Sequence, residues 1–442
     1  MEVDKFFKIS ERGSTVGNEV IGGLTTFLAM AYIIAVNPTF LQAAGVPFNA
    51  ALTATCFGAA IMTAAMGLIA NRPLALASGM GINAIVAFTL CDANGLGLDW
   101  RVAMAIVFLE GVVILILVMC GLRKAIMDAI PVDLRLAIGI GIGLFIAFIG
   151  LKGGGIVVTN PSNLLGAGDL TSPVCIVSLI SILIAVILTA LNVQGALLIS
   201  IVAATLIGIP FGVTSLPASW EFGLDFSAFA APFQTDPQSG QMAILQVFVQ
   251  PALLLFVFSL LMSDFFDTMG TVVAVAKQGD FIDEKGNVEN IQEALAVDSA
   301  AAIVGGFMGA SSVTTFVESA SGAAAGARTG LSNLVISVLF VVFAFFAPIV
   351  GMVSSSATCG ALTVVGYLMM TSIGDINWGR VEHAFPAFIT IMGIPFTYSI
   401  TNGIGFGFIS YVIIKVAQGR AAEVKPLMWV ASAAFLVMFI FA

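Results

Sequence analysis

Charge is scarce in this chain. Only 9% of its 442 residues are Asp, Glu, Lys or Arg, while 59% are hydrophobic; a soluble domain carries about 25% charged residues. That shortage excludes a soluble fold, because no single core could hide so much apolar surface. Histidine occurs once, at His383, and there is no His-Glu-x-x-His, Walker loop or Cys/His cluster. Histidine catalysis, a bound metal, a cofactor and an ATP-driven pump are therefore unsupported. Cys56, Cys91, Cys120, Cys175 and Cys359 are odd in number and lie in or beside apolar runs, so they read as packing residues, without a disulfide framework. The net charge of -9 leaves no basic patch to replace phosphate counterions, so no nucleic-acid partner is expected.

Long apolar runs, in contrast, fill the chain. Most are close to the ~20 residues that a helix needs to cross ~30 Å of hydrocarbon. They read as helical spans near 16–36, 50–70, 74–92, 100–121, 134–151, 173–191 and 195–212, then 243–276, 295–309, 312–327, 331–353 and 358–372. The tail adds stretches at 384–398, 399–417 and 426–442, so the total is about fourteen, or fifteen if each tail stretch spans. The fold class is thus an all-α polytopic membrane protein in the plasma or inner membrane.

With the N-terminus in the cytoplasm, only Arg101 and Lys152 of the sixteen Lys and Arg fall outside. The inside set includes Lys5, Lys8, Arg12, Arg72, Arg123, Lys124, Lys277, Lys285 and Arg328. This asymmetry is the positive-inside pattern. It also places the 213–242 loop outside, with Glu221, Asp225 and Asp236 and no basic residue. Seven spans in residues 1–212 then invert the series in 243–442, the inverted repeat common in secondary transporters.

Two spans look interrupted at matching places. The third run, Leu74-Ala-Leu-Ala-Ser78-Gly79-Met-Gly81-Ile-Asn83, follows Arg72-Pro73 and is broken by glycines before an Asn suited to capping a helix. In the second half, Ser311-Ser-Val-Thr314-Thr315-Phe316-Val-Glu318 is likewise short, polar and β-branched. Extended backbone at membrane depth must be buried in protein or line a cavity. Pairing the two segments with each other would satisfy both. The alternative is that Gly and Ser only permit close helix packing, which is the better reading of Gly139-Ile-Gly141-Ile-Gly143.

Carboxylates within the spans are the second signal, since a charge at the helix centre costs roughly 2.5–3.5 kcal/mol even on insertion scales. Glu110, Asp264, Asp267 and Glu318 qualify. Asp264 and Asp267 are three apart, on one helix face, where both cannot ionise cheaply; this suggests proton coupling. Glu318 at a half-helix start could accept N–H groups of a planar ring. Asp267 has the alternative of bracing the site, Glu110 of a structural acid, and Asp298 of a helix cap.

Four motifs carry a resemblance: Gly23-Leu-Thr-Thr-Phe27-Leu-Ala-Met-Ala-Tyr32, Ser78-Gly-Met-Gly-Ile-Asn83-Ala, Asp264-Phe-Phe-Asp267-Thr-Met-Gly270-Thr271, and Glu318-Ser-Ala-Ser-Gly322 with Gly326-Ala-Arg328-Thr-Gly330-Leu331. The chain resembles the AzgA-like purine permeases of the nucleobase:cation symporter-2 family, over effectively its whole length. The resemblance implies two inverted seven-span repeats, with a core domain of spans one to four and eight to eleven and a gate domain of five to seven and twelve to fourteen. It implies a homodimer formed through the gates, and import of adenine, guanine or hypoxanthine with a proton, not an enzyme activity. It assigns purine binding to Asn83, Asp264 and Glu318, with Asp267 as the second eighth-span acid. Thr315 joins the binding set, and Phe27, Phe88 and Phe316 are candidates for stacking on the purine. Asp264, Asp267 and Glu318 are the proton-coupling candidates. Phe316 and Ala327 stand where some relatives carry Tyr and Gly, which leaves the preferred purine open. An anion exchanger on the same architecture is the main alternative, and an intramembrane aspartyl enzyme a lesser one.

Overall fold

The computed structural model describes residues 2–93, 95–121, 130–160, 164–217, 220, 222–250, 252–282 and 288–441. Arg123, Lys124, Lys285 and Glu221, which enter the charge asymmetry, lie outside these. Among the described residues eight helices are long and apolar enough to cross a membrane, and Ala243–Val249 with Ala252–Phe265 forms a bent pair. Five shorter apolar helices accompany them: Met80–Leu90, Ala196–Gly208, Leu331–Phe343, Val381–Phe396 and Pro426–Ile440. The tail therefore forms three helices, Val381–Phe396, Ile400–Ala417 and Pro426–Phe441.

Among the described residues four short strands interrupt the helices: β1 (Leu76–Ser78), β2 (Val157–Asn160), β3 (Leu164–Ala167) and β4 (Val313–Thr315). The β2–β3 hairpin follows the Val132–Gly153 helix and was not anticipated, although Ile156-Val157-Val158-Thr159 is a β-branched run. β1 and β4 are the two interruptions expected from sequence, and they pair antiparallel, with Leu76 opposite Thr315, Ala77 opposite Thr314 and Ser78 opposite Val313.

Such a pair survives at membrane depth only if its outward-facing backbone groups are also satisfied. Side chains of neighbouring helices do this. Thr63 Oγ1 accepts from Leu76 N and donates to Leu76 O, both at 2.9 Å. Ser319 Oγ accepts from Ala75 N at 2.9 Å, and Asp298 Oδ1 accepts from Thr315 N at 3.0 Å. The ends are closed by Gly79 N to Ser312 O and Phe316 N to Ala75 O, each 2.9 Å.

The strand pair itself packs on Phe48–Ile69 and Ile291–Met308, and a second group of helices packs with pseudo-twofold symmetry. Val132–Gly153 packs on Ser355–Met370 as the central pair; Val381–Phe396 leans on the first and Pro173–Ala190 on the second. Small residues allow these approaches. A Cβ at Gly141 would lie 2.5 Å from Ile394 Cδ1, and one at Gly143 2.5 Å from Met369 Cβ, so these glycines serve helix packing. Gly67 and Gly330 meet backbone to backbone, with a Cβ on Gly330 1.9 Å from Gly67 O.

Polar clamps tie the two halves together. Buried Glu19 accepts from Arg328 N at 2.9 Å and Thr329 N at 3.3 Å. Arg72 pairs with Glu289, beneath the ring of Phe281. His383 Nδ1 sits 2.7 Å from Asp133 Oδ2, away from the strand pair.

Candidate substrate cavity

The first span is interrupted between Val16–Met30 and Ile33–Ala43, which turns Tyr32 toward the strand pair. Its hydroxyl donates to Glu318 Oε1 at 2.8 Å. Glu318 lies three residues past the end of β4 and stands at the capping position of the short Ser319–Ala324 helix. On the long Ala252–Gln278 helix, Asp267 and Thr271 are four residues apart and so lie one above the other on one face. These groups, with Gly79, Met80, Gly81, Thr315, Phe316 and Val317, surround a cavity of about 90 Å³ closed on its far side by Val365 and Met369.

Both carboxylates thus face one hollow at the crossing of the two broken spans. The hollow offers a planar ligand an acceptor at Glu318, a second acid at Asp267, the Phe316 ring and exposed backbone at Gly79–Gly81. Glu318 can give a ligand its second oxygen, since Oε1 is engaged by Tyr32. Asp298 braces the construction from behind. Fully buried, it accepts from Thr268 Oγ1 at 2.7 Å and from Thr314 Oγ1 at 3.2 Å, coupling the long helix to β4.

The structure sorts the site residues expected from sequence. Glu318, Asp267, Thr315 and Phe316 line the cavity. Asp264 does not; it is 1% exposed and packed inside the protein. A three-residue step turns the helix by about 60° from full register and shifts it ~4.5 Å, enough to take Asp264 off the cavity wall that Asp267 occupies. Asn83 is also fully buried, and it lies inside Met80–Ile85 with Gly79 in the capping position expected for it. Phe27 packs edge-on against Phe340 with centroids 5.2 Å apart, as a core residue. Phe88 belongs to a different cavity, beside Phe40 and Tyr398. Glu110 is buried on Trp100–Met119, a helix packed on Ile291–Met308. Asp298 is not a helix cap but sits in the interior of Ile291–Met308.

Sequence reasoning missed Tyr32, Thr271 and Asp298 as site elements. Tyr32 ends the first motif, one of only four tyrosines in the chain, and that rarity was the available signal. Asp298 offered a buried acid, but only the structure shows what it holds.

A family model described as Permease family matches residues 17–406. The chain belongs to this permease family. The likeness to the AzgA-like branch drawn from the four motifs holds, and the permease is a multi-pass membrane transporter, not an enzyme. A guanine/hypoxanthine permease of Bacillus subtilis, PbuO, is 42% identical over 98% of the permease and 99% of its own length. The adenine permease AdeP of Escherichia coli is 38% identical over 99% and 96%, and a putative permease of Methanocaldococcus jannaschii 40% over 99% and 98%. Among solved structures, the transmembrane domain of the cyanobacterial bicarbonate transporter BicA superposes with a TM-score of 0.65 at 16% identity, covering 86% of the permease and 96% of that chain. SLC26A9 gives 0.63 at 14%, covering 91% and 65%. At such identities the match concerns the fold, an inverted-repeat membrane transporter.

Proposed function

We propose that this permease imports purine nucleobases, namely adenine, guanine or hypoxanthine, across the plasma or inner membrane by proton symport, with its N-terminus cytoplasmic. The observation that carries the reading is the pair of carboxylates, Asp267 and Glu318, facing one small cavity at the crossed strands. Relatives of about 40% identity are named as guanine/hypoxanthine and adenine permeases, which supports the substrate class. An anion exchanger on this fold is disfavoured, because two acids in one cavity repel an anion.

In this reading Glu318, fixed by Tyr32, accepts ring N–H groups of the purine, and the purine lies against Phe316. Two carboxylates that face one cavity repel each other, and neither ionises as cheaply as it would alone. A proton on Asp267 removes that repulsion, and the purine N–H groups together with the Tyr32 hydroxyl solvate the single charge left on Glu318. The doubly loaded cavity, with one hydrogen-bonded charge in place of two unpaired ones, then moves more cheaply past the wall formed by Val365 and Met369. Spans one to four and eight to eleven form the moving core and the other spans the gate, through which two copies pair.

The test is accumulation of labelled hypoxanthine or adenine in cells or proteoliposomes with an imposed pH gradient. Uphill accumulation that collapses with a protonophore supports symport; unchanged accumulation removes the coupling. Competition by guanine, xanthine and uracil then defines the substrate range.

A further inference from the structure

We propose a second ligand site in this permease, distinct from the acid-lined cavity, for a planar heteroaromatic ring that carries a carbonyl oxygen. It takes its ligand class from the purine reading above, and narrows it to the oxo-purines. The site is a larger cavity of about 290 Å³ bordered by Phe40, Phe88, Lys152, Thr39, Thr358 and Tyr398. Along Ser355–Met370 this cavity is bordered by Thr358 and Leu362 and the acid-lined one by Val365 and Met369. The two cavities are thus neighbours, with Leu362 and Val365, three residues and about 4.5 Å of helix rise apart, between them.

Two uncommon backbone features converge on this cavity. Phe88 is carried by a π-helical turn, Val86–Leu90, at the end of the broken third span. Such turns are rare and concentrate at functional sites. Tyr398 has φ of 53°, in the left-handed region that bulky side chains avoid. Strain of this kind persists only where the surroundings hold it, often at a ligand site. Both features bring aromatic rings together: Phe88 and Tyr398 meet at 5.8 Å and 72°, and Phe88 and Phe40 at 5.5 Å and 73°. Both contacts are edge-to-face, the geometry aromatic pairs prefer, and they border the cavity with apolar surface suited to a flat ring.

The polar groups specify the ligand further. Lys152 Nζ lies 3.3 Å from the Tyr398 hydroxyl and 4.6 Å from its ring centroid, and no described carboxylate pairs with it. An ammonium only donates, so it suits a ring carbonyl and opposes an exocyclic amine at the same place. Thr39 and Thr358 donate their hydroxyl hydrogens to Ala35 O at 2.9 Å and Ser355 O at 3.1 Å. With those bonds kept, the capacity left toward a ligand is that of an acceptor, as from a ring N–H. The cavity is thus opposite in character to the acid-lined one: a cation and acceptors for a 6-oxopurine, with less to offer adenine.

The experiment measures equilibrium binding of labelled hypoxanthine and adenine to purified full-length protein in lipid nanodiscs. Wild type is compared with Asp267→Asn/Glu318→Ala, which disables the acid-lined cavity, and with that double variant carrying Lys152→Met or Lys152→Arg. We expect the double variant to retain hypoxanthine binding, about 10- to 100-fold weaker than wild type, and to prefer hypoxanthine over adenine about tenfold. Lys152→Met should abolish that preference and Lys152→Arg should keep it, which separates recognition from misfolding. If the double variant binds neither purine at millimolar concentration while wild type does, the second site is overturned. Unchanged hypoxanthine preference with Lys152→Met overturns its assignment to this cavity. Wild type that binds no purine overturns the purine reading, and this inference with it.

Discussion

The two broken spans share a scaffold and differ in chemistry. Each contributes three residues to the same antiparallel pair and each leads into a short helix. The first, Leu76-Ala-Ser-Gly-Met-Gly81, places two glycines and the uncharged Met80 at the cavity; the second, Thr315-Phe-Val-Glu318, places a hydroxyl, a ring and an acid there. A pseudo-symmetric frame thus supports an asymmetric site, in which one repeat supplies shape and the other supplies charge.

If that division is right, the acid of the second break dominates and the amide of the first does not. Glu318→Gln should lower purine uptake efficiency at least 100-fold, whereas Asn83→Ala, at a buried position off the cavity, should lower it less than tenfold. Initial uptake rates, normalised to protein at the membrane, would decide; comparable losses would break the comparison. Next in size is the contrast between the two acids of the long helix. Asp267→Asn should abolish uphill accumulation while leaving downhill equilibration, and Asp264→Asn should reduce rate or abundance with accumulation retained. Accumulation ratios in proteoliposomes with and without a pH gradient separate these outcomes.

The contribution of the first break is steric, and a smaller effect tests it. A Cβ at Gly79 would lie 2.8 Å from Thr314 Cγ2. Gly79→Ala should therefore cut uptake about tenfold, a cost in the range of core overpacking. Thr314→Ser, which removes that methyl and keeps the hydroxyl bonded to Asp298, should restore much of it. The smallest effect lies far from the site, near the end of Ile400–Ala417. There Arg420 first, and then Lys415, hold the Glu423 carboxyl down at about 2 through hydrogen bonds. A depressed carboxyl stabilises the fold above its ordinary value of 4.5 and loses that contribution as pH falls toward 2. Thermal unfolding of Glu423→Gln should accordingly depend less on pH between about 4.5 and 2 than wild type.

Much of the fold could be read from the sequence because its signals are local. Twenty apolar residues announce a span wherever they occur, and Ser78-Gly79 and Thr314-Thr315 marked the breaks by composition alone. The β2–β3 hairpin escaped notice because a short β-branched run next to a membrane span resembles its continuation. In the site, Glu318, Asp267, Thr315 and Phe316 were found as polar or aromatic residues at a break or on a long helix. Asp264, Asn83, Phe27 and Phe88 were nominated on the same grounds and lie elsewhere, because motif membership does not specify the direction of a side chain.

Local chemistry along the chain is enough to establish a many-span membrane protein, the breaks at Ser78-Gly79 and Thr314-Thr315 and the acids kept at membrane depth, but not the break of the first span at Ala31-Tyr32. Hydrophobicity, helix-breaking residues and the cost of buried charge act over a few residues, so they can be read along the chain. That Tyr32 engages Glu318, that Asp298 fastens β4 to the long helix, and that Asp267, not Asp264, opens on the cavity follows from the folded arrangement alone. Those facts depend on helix rotation and on contacts between residues as much as 286 positions apart, and a few tens of degrees about a helix axis separate a cavity wall from a packed interior.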